Sequence, residues 1–175
     1  WDSHVHFYFD RQLALHMPEL FLSTGITSVR DTGGEFHYLD SIRQNALRNP
    51  KTHPRVKIAG PLIDGNFNVY NGSVLPELSI RTRNVSESIA ETEKLVAKGG
   101  DFLKAYEMLS PEQFEAIATI AARENLRLAG HVPLSMEITH ATSLGLNSLE
   151  HIKNLELEAV KNSDSMLQER RKMLE

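Results

Sequence analysis

Asp2-Ser3-His4-Val5-His6 places two imidazoles two residues apart in a segment that reads as a β-strand. An extended chain turns alternate residues to one side, so His4 and His6 project from the same face, with Asp2 below them. Two imidazoles so placed can grip one metal ion. Three later positions repeat the theme: Lys104 in DFLKAY, His131 in LRLAGH and His151 in LNSLEH. Each ends a short apolar run that follows a helix-like segment. Polar groups converging from several strand ends are how a parallel barrel builds an active site.

Every one of these residues has a plainer reading. His4 and His6 could fill a strand end. Lys104 could pack its stem at the core edge with its ammonium in water, or act as a Schiff-base lysine. Asp31 ends a strand beside Thr32, Gly33 and Gly34. It could accept a hydrogen bond from a ligand histidine or cap its own loop. Tyr106 follows Lys104 on the same strand face and could touch substrate or a metal bridge, or fill the barrel. His16, His37, His53 and His140 fall on helices or loops and read as surface or packing residues.

Such positions need a scaffold that gathers strand ends. Apolar runs bounded by Gly, Pro and Asn predict strands over 1–7, 26–30, 55–59, 101–106, 126–131 and 146–152. Helices are expected over 11–23, 38–47, 86–98 with Ser86 as cap, and 135–144. Another starts at Ser110-Pro111-Glu112-Gln113, a capping box with Pro at the first helical position. Phe114, Ile117, Ala118 and Ala121 then follow at helical spacing. The charged tail from 155 is expected to be helical, with Asp164 on its surface. Residues 66–84 have no clear period and read as a loop or lid over the site.

The order βα, repeated about six times, predicts an α/β fold with a parallel sheet and helices outside, of the TIM-barrel type. A whole (β/α)₈ barrel takes about 250 residues. The 175 residues here are therefore expected to form one partial barrel over 1–175, with about six of eight βα units.

Composition narrows the function classes. Apolar residues make up 41% of the chain, enough for one core, and the net charge is −4 with both signs intermixed. No concentrated basic stripe points to nucleic acid, and no apolar run nears the roughly 18 residues of a membrane span. There is no cysteine, which removes disulfides and thiolate zinc sites. The chain begins at Trp1, directly in a strand, so it is expected to be an internal portion of a longer protein. No signal-like segment is present, and the compartment stays open with a cytoplasmic setting preferred. Asn71-Gly72-Ser73 and Asn84-Val85-Ser86 match a glycosylation pattern that is common by chance.

The blocks DSHVHF, GITSVRDTGG, RVKIAGPLIDG, GGDFLKAY, LAGHV and GLNSLEHI together resemble the amidohydrolase superfamily, in particular its imidazolonepropionase-like and prolidase-like metal-dependent hydrolases. The resemblance runs to Ile152. It implies that His4 and His6 bind the more buried of two divalent metals, zinc foremost, and that His131 and His151 bind the second. It implies that Lys104 carries a CO₂-derived carbamate bridging them. A protonated lysine has only donors, whereas a carbamate offers two anionic oxygens. Metals about 3.5–4 Å apart would activate a bridging hydroxide against an amide or other C–N bond of a small-molecule substrate.

The family's strand-eight Asp, the general base, is expected beyond residue 175. The usual N-terminal β-sandwich and strands seven and eight are also absent, so this portion is expected to be inactive by itself. Two other readings stand: a Schiff-base lyase using Lys104, and a non-enzymatic metal-binding or assembly fragment. Open sheet edges would favour a homo-oligomer.

Overall fold

Phe102, Lys104 and Tyr106 alternate with Leu103 and Ala105, and that alternation sets the architecture. Leu103 and Ala105 join the main core with Phe114, Ile117, Ala118 and Ala121, while Phe102 and Tyr106 belong to other clusters. One strand thus feeds two faces, an outer one for helices and an inner one for the site. The computed structural model describes residues 1–152, 155, 156, 159, 160 and 162–175.

Among those residues, eight strands pair in parallel: β1 (Asp2–Val5), β2 (Ser28–Asp31), β3 (Arg55–Ile58), β4 (Leu62–Asp64), β5 (Ser79–Arg81), β6 (Leu103–Ala105), β7 (Leu128–Gly130) and β8 (Leu146–Leu149). The orders are β1-β2-β3 and β5-β4-β6-β7-β8. The helices are α1 (Met17–Ser23), α2 (Phe36–Arg48), α3 (Val85–Ala97), α4 (Pro111–Arg123), α5 (Ile138–Ser143) and α6 (Ser163–Leu174).

This is the α/β, TIM-barrel-type alternation, with a feature the sequence does not announce. The third barrel position is one strand in two halves. β3 pairs with β2, and β4, after Gly60 and Pro61, pairs with β6. Pro61 has no N–H to give a ladder, so the break falls there. Ala59 N–H to Asp31 O (3.1 Å) and Asp101 N–H to Ile58 O (2.8 Å) hold the joint from both sides. The stretch 66–84, expected as a loop or lid, contains β5, which adds to β4 in register Leu62↔Ser79 and Asp64↔Arg81.

Helix starts follow local chemistry. α4 has the expected reciprocal cap: Ser110 Oγ accepts from Gln113 N–H at 3.3 Å, and Gln113 Oε1 accepts from Ser110 N–H at 2.9 Å. Gln113 Nε2 also donates to Thr82 O (3.0 Å) and Ser88 Oγ (3.1 Å), tying α4 to the start of α3. Full burial of a side chain such as Phe114 contributes roughly 1.5–3 kcal/mol, and Phe114 is 0% exposed. α3 begins earlier than expected. Asn84, not Ser86, is extended and accepts from Glu87 N–H at 3.0 Å, and Asn is as good a cap as Ser. The segment over 11–23 splits into a 3₁₀ turn (Leu13–Leu15) and α1, because Pro18 restarts the helix in its first turn. The helix expected over 135–144 loses its first residues to a turn in which Ser135 Oγ donates to Leu109 O at 2.7 Å.

The strands are shorter than expected, yet their ladders continue by single bonds: Tyr106 N–H to Ile63 O (3.0 Å), His131 N–H to Ala105 O (3.3 Å) and Glu150 N–H to Gly130 O (2.8 Å). Tyr106, His131 and Glu150 therefore sit one rung past the ends of β6, β7 and β8. The charged tail falls partly on residues 153, 154, 157, 158 and 161, outside the described residues. α6 is helical, with Asp164 exposed in its first turn. No described helix is long and apolar enough to cross a membrane.

Candidate active site

β1 delivers His4 and His6 from one face, as alternation requires. Their Nε2 atoms stand 3.2 Å apart. Each ring is fixed by its other nitrogen. His4 Nδ1 donates to Glu150 Oε2 at 2.6 Å, and His6 Nδ1 donates to Gly33 O at 3.0 Å. Both acceptors lack a proton to give, so both Nδ1 atoms carry hydrogen, and in neutral rings both Nε2 atoms present lone pairs to each other. Protonating His6 would relieve the clash of lone pairs. Burial opposes that, pushing its pKa down to about 4 with help from the charges of His4, Lys104 and His151 and against the Gly33 bond. A buried His6 Nε2 that resists a proton, facing His4 Nε2, is suited to share a cation.

The other predicted residues come to the same place. His4 and His151 rings lie 4.5 Å apart by centroid, and His151 and His131 lie 5.3 Å apart. His131 Nδ1 donates to Glu107 Oε1 at 2.7 Å, which leaves its Nε2 with a lone pair. Burial first, then the charge of Lys104, lowers its pKa, against the pull of Glu107. His151 sits two residues beyond β8 with left-handed backbone (φ 65°) and is the exposed member.

Lys104 lies between these groups at 1% exposure. Burial brings its pKa down to about 7; Arg30 adds to that, while Glu150 and Asp31 oppose it. Part of its amine is therefore neutral near neutral pH. In register it faces Ala129 of β7, which in turn faces Ser148 of β8, so small neighbours leave room for its stem.

Asp31 takes the loop-capping role. Its Oδ2 accepts from Phe7 N–H at 2.7 Å and its Oδ1 from Gly33 N–H at 3.0 Å. It bonds to the backbone N–H of Phe7, which follows His6, and of Gly33, whose carbonyl holds His6, rather than to an imidazole. Burial raises its pKa to about 7, against those two bonds and the Lys104 charge. Tyr106 is buried with its ring 4.4 Å from that of His131 and 5.7 Å from that of Tyr70. It both fills space and walls the site. His16, His37, His53 and His140 are not among the convergent rings.

Sequence reading overlooked Glu107 and Glu150. Both are buried, at 3% and 5% exposure, and each holds one histidine. Glu150 is driven down to about 2. Its burial, which alone would raise it, is outweighed by the bonds from His4 and Ser148 and the charges of Lys104 and Arg30. Glu107 is lowered in the same way: His131 and Arg170 outweigh its burial. A signal was available. A histidine offering one nitrogen to a site needs an acceptor at the other, and Glu150 adjoins His151 while Glu107 adjoins Tyr106.

Among the described residues, no group of three or more His, Asp or Glu side chains is arranged to hold a metal ion. Of the residues expected from the sequence as ligands, the His4–His6 pair has a separation that would suit one ion. Two nitrogens bound to one tetrahedral zinc at about 2.0–2.1 Å stand roughly 3.3–3.4 Å apart.

No family model and no curated protein matches the chain. Solved structures do. A Xaa-Pro dipeptidase with bound methionine superposes with a TM-score of 0.72 at 17% identity, over 95% of this chain and 49% of its own. Ochratoxinase from A. niger gives 0.67 at 20% identity, over 96% and 56%. Bottromycin amidohydrolase gives 0.69 at 21%, over 93% and 34%. The chain spans about half the length of the first structures it matches. These superpositions show that the chain has the α/β, TIM-barrel-type fold of part of these dipeptidase, ochratoxinase and amidohydrolase structures.

Proposed function

We propose that this chain supplies the metal-holding wall of a hydrolase of amide or other C–N bonds in a small-molecule substrate. His4 and His6 would hold one divalent ion, zinc first, and His131 and His151 a second, with Lys104 between them as a carbamate. The observation that carries the reading is the pair of Nε2 atoms of His4 and His6, 3.2 Å apart, with both Nδ1 atoms engaged elsewhere. The fold likeness supports it, since matched structures include a prolidase complexed with N-methylphosphonate-L-proline and a bottromycin amidohydrolase. When bound, such ions would polarise a carbonyl and acidify a water.

The chain's own residues do the rest. The neutral amine of Lys104, favoured by burial, attacks CO₂, forms an N–C bond and releases a proton. Gly33 O and Glu150 fix the β1 imidazoles, and Glu107 fixes His131. Tyr106 and Tyr70 keep water from one side of His131 and offer substrate an aromatic wall. The base that serves a leaving nitrogen is assigned to an Asp beyond residue 175.

Zinc titration of metal-stripped protein, followed by calorimetry and elemental analysis, tests the reading. Two equivalents are expected for the wild type in bicarbonate buffer, and His6→Ala should lose the tighter one. A carbamate carbon signal from ¹³C-bicarbonate should vanish in Lys104→Met. Binding of less than one equivalent by folded wild type would end the proposal. The buried amine also suits a Schiff-base lyase, so borohydride trapping of a carbonyl compound on Lys104 would favour that reading instead.

A further inference from the structure

The connection from β4 to β5 carries Asn71-Gly72, the only asparagine followed by glycine in the 175 residues. Asn71 sits in a tight local turn. Its Oδ1 accepts from Ser73 N–H at 3.0 Å and from the Ser73 hydroxyl at 2.6 Å. Its Nδ2 and the N–H of Gly72 have no partner among the described residues. Residues 71–75 are all exposed. A Cβ on Gly72 would have only Glu77 for its nearest neighbours, the closest atom at 3.3 Å.

We propose that Asn71 is a site of spontaneous covalent modification, where the Gly72 nitrogen closes on the Asn71 side chain to give a succinimide, then aspartate and isoaspartate. This inference goes beyond the function proposed above and does not rest on it.

A base, hydroxide or a buffer anion, takes the proton of Gly72 N–H. The nitrogen forms a bond to Asn71 Cγ, and the carbonyl electron pair moves onto Oδ1. That pair returns, the Cγ–Nδ2 bond breaks, and Nδ2 leaves as ammonia with the proton that the base removed. Water then adds to either carbonyl of the imide ring. Opening at Cγ gives aspartate; opening at the backbone carbonyl gives isoaspartate. Nothing is oxidised or reduced, and water is the only reagent consumed.

The turn favours each step. Negative charge grows on Oδ1 during attack, and donors already placed at such an oxygen stabilise the transition state. The same bonds hold the carboxamide folded toward the chain that follows, which lowers the entropic cost of closing the ring. Glycine has no Cβ to shield its nitrogen. Other asparagines lack one of these features. Asn49 precedes Pro50, which has no N–H. Asn84 Oδ1 accepts from Glu87 N–H at 3.0 Å, but the next nitrogen belongs to β-branched Val85 at the start of α3. Asn147 is fixed within β8, its Oδ1 accepting from Leu128 N–H at 2.9 Å.

The modification would reach the rim of the site. Tyr70 precedes Asn71, and its carbonyl accepts from Leu78 N–H (3.2 Å), Ser79 N–H (3.3 Å) and Ser79 Oγ (2.9 Å). Those bonds anchor the start of β5, and the Tyr70 ring stands 5.7 Å from that of Tyr106. Isoaspartate lengthens the main chain by a methylene and adds a negative charge directly after this anchor.

Peptide mapping by mass spectrometry of the intact chain, aged in mildly alkaline buffer, tests the proposal. Residue 71 should pass to aspartate and isoaspartate, the latter detected with an isoaspartyl methyltransferase, while Asn84 and Asn147 remain amides. Gly72→Ala should nearly stop the reaction. Ser73→Ala, which keeps the N–H donor, should slow it about threefold to tenfold, the range of one ordinary hydrogen bond. Aged protein should exchange the Leu78 and Ser79 amides faster than fresh protein. Asn71→Asp, which adds the charge without the methylene, should leave that exchange unchanged. A synthetic peptide of residues 68–75 gives the unstructured reference rate. A folded chain slower than the peptide by more than about tenfold, the reach of one hydrogen bond, would overturn the proposal, because the turn would then protect Asn71. Ser73→Ala that reacts as fast as wild type would overturn it too. Unchanged exchange at Leu78 and Ser79 in aged protein would refute the effect on the rim.

Discussion

An amine buried as deeply as Lys104 costs the fold stability, and the cost has a definite dependence on pH. Its pKa falls from 10.5 to about 7 on folding, chiefly through burial. Between those values the unfolded chain holds a proton that the folded chain has released, so stability rises with pH across that window. Below about pH 7 both states are charged and the full penalty applies. Metal-free Lys104→Met should therefore melt higher than wild type near pH 7, and the gap should narrow toward pH 10.5. Thermal melts of both proteins in CO₂-free buffer with chelator measure the gap; a gap independent of pH would mean that Lys104 reaches solvent. Lys104 itself was legible from sequence because it ends an apolar run in step with three histidine-bearing runs. Glu107 and Glu150 were not, because a glutamate beside a strand end looks like any solvated charge until the strand register buries it.

At the level of elements, the top of β4 is bound to the β6–α4 connection through one glycine and one aspartate. A Cβ on Gly65 would stand 1.8 Å from Met108 O and 2.4 Å from its carbonyl carbon. These are backbone atoms that cannot swing aside. Asp64 completes the joint, accepting from Gly65 N–H at 2.9 Å, Met108 N–H at 2.8 Å and Val69 N–H at 2.9 Å. Gly65→Ala must push the two segments apart, at about 3 kcal/mol or more, in the range that large single-residue losses reach. Urea denaturation should show the loss as a lower midpoint with an unchanged slope; a loss under about 1 kcal/mol would mean that the approach is loose. This joint explains which elements sequence could not give. Gly60, Pro61 and Gly65 disguise β4 as loop, and β5 follows a stretch of Gly, Pro, Asn and Ser with no helix before it to mark a strand. The α4 cap was legible because all of its partners lie within four residues. The α3 cap was misplaced by two residues because Asn84 and Ser86 are both competent caps, and only the backbone conformation at Asn84 decides between them.

At the level of the molecule, the repeat of strand and helix made the barrel topology legible, because parallel strands need crossovers and the helical periods supply them. What the repeat leaves open is the fate of the outer strands. Among the described residues, β1 pairs only with β2, and β8 only with β7. Arg30 reaches between the two sides through Ser3 and Ser148, but a side chain does not satisfy a strand's backbone groups. Trp1, Phe9 and Ile152, near those strands in sequence, are exposed at 70%, 53% and 60%. Unpaired N–H and C=O groups beside apolar side chains favour a second strand from another chain. A net charge of −4 opposes that association only weakly once salt screens it. The 175-residue chain should therefore show a sedimentation coefficient that rises with concentration. Ser3→Lys, which puts a charge on the exposed side of β1 without touching the site face, should lower it. A coefficient that stays at the monomer value over a hundredfold range, on the order of micromolar to sub-millimolar, would show that side chains such as Arg30 seal the two edges well enough without a partner.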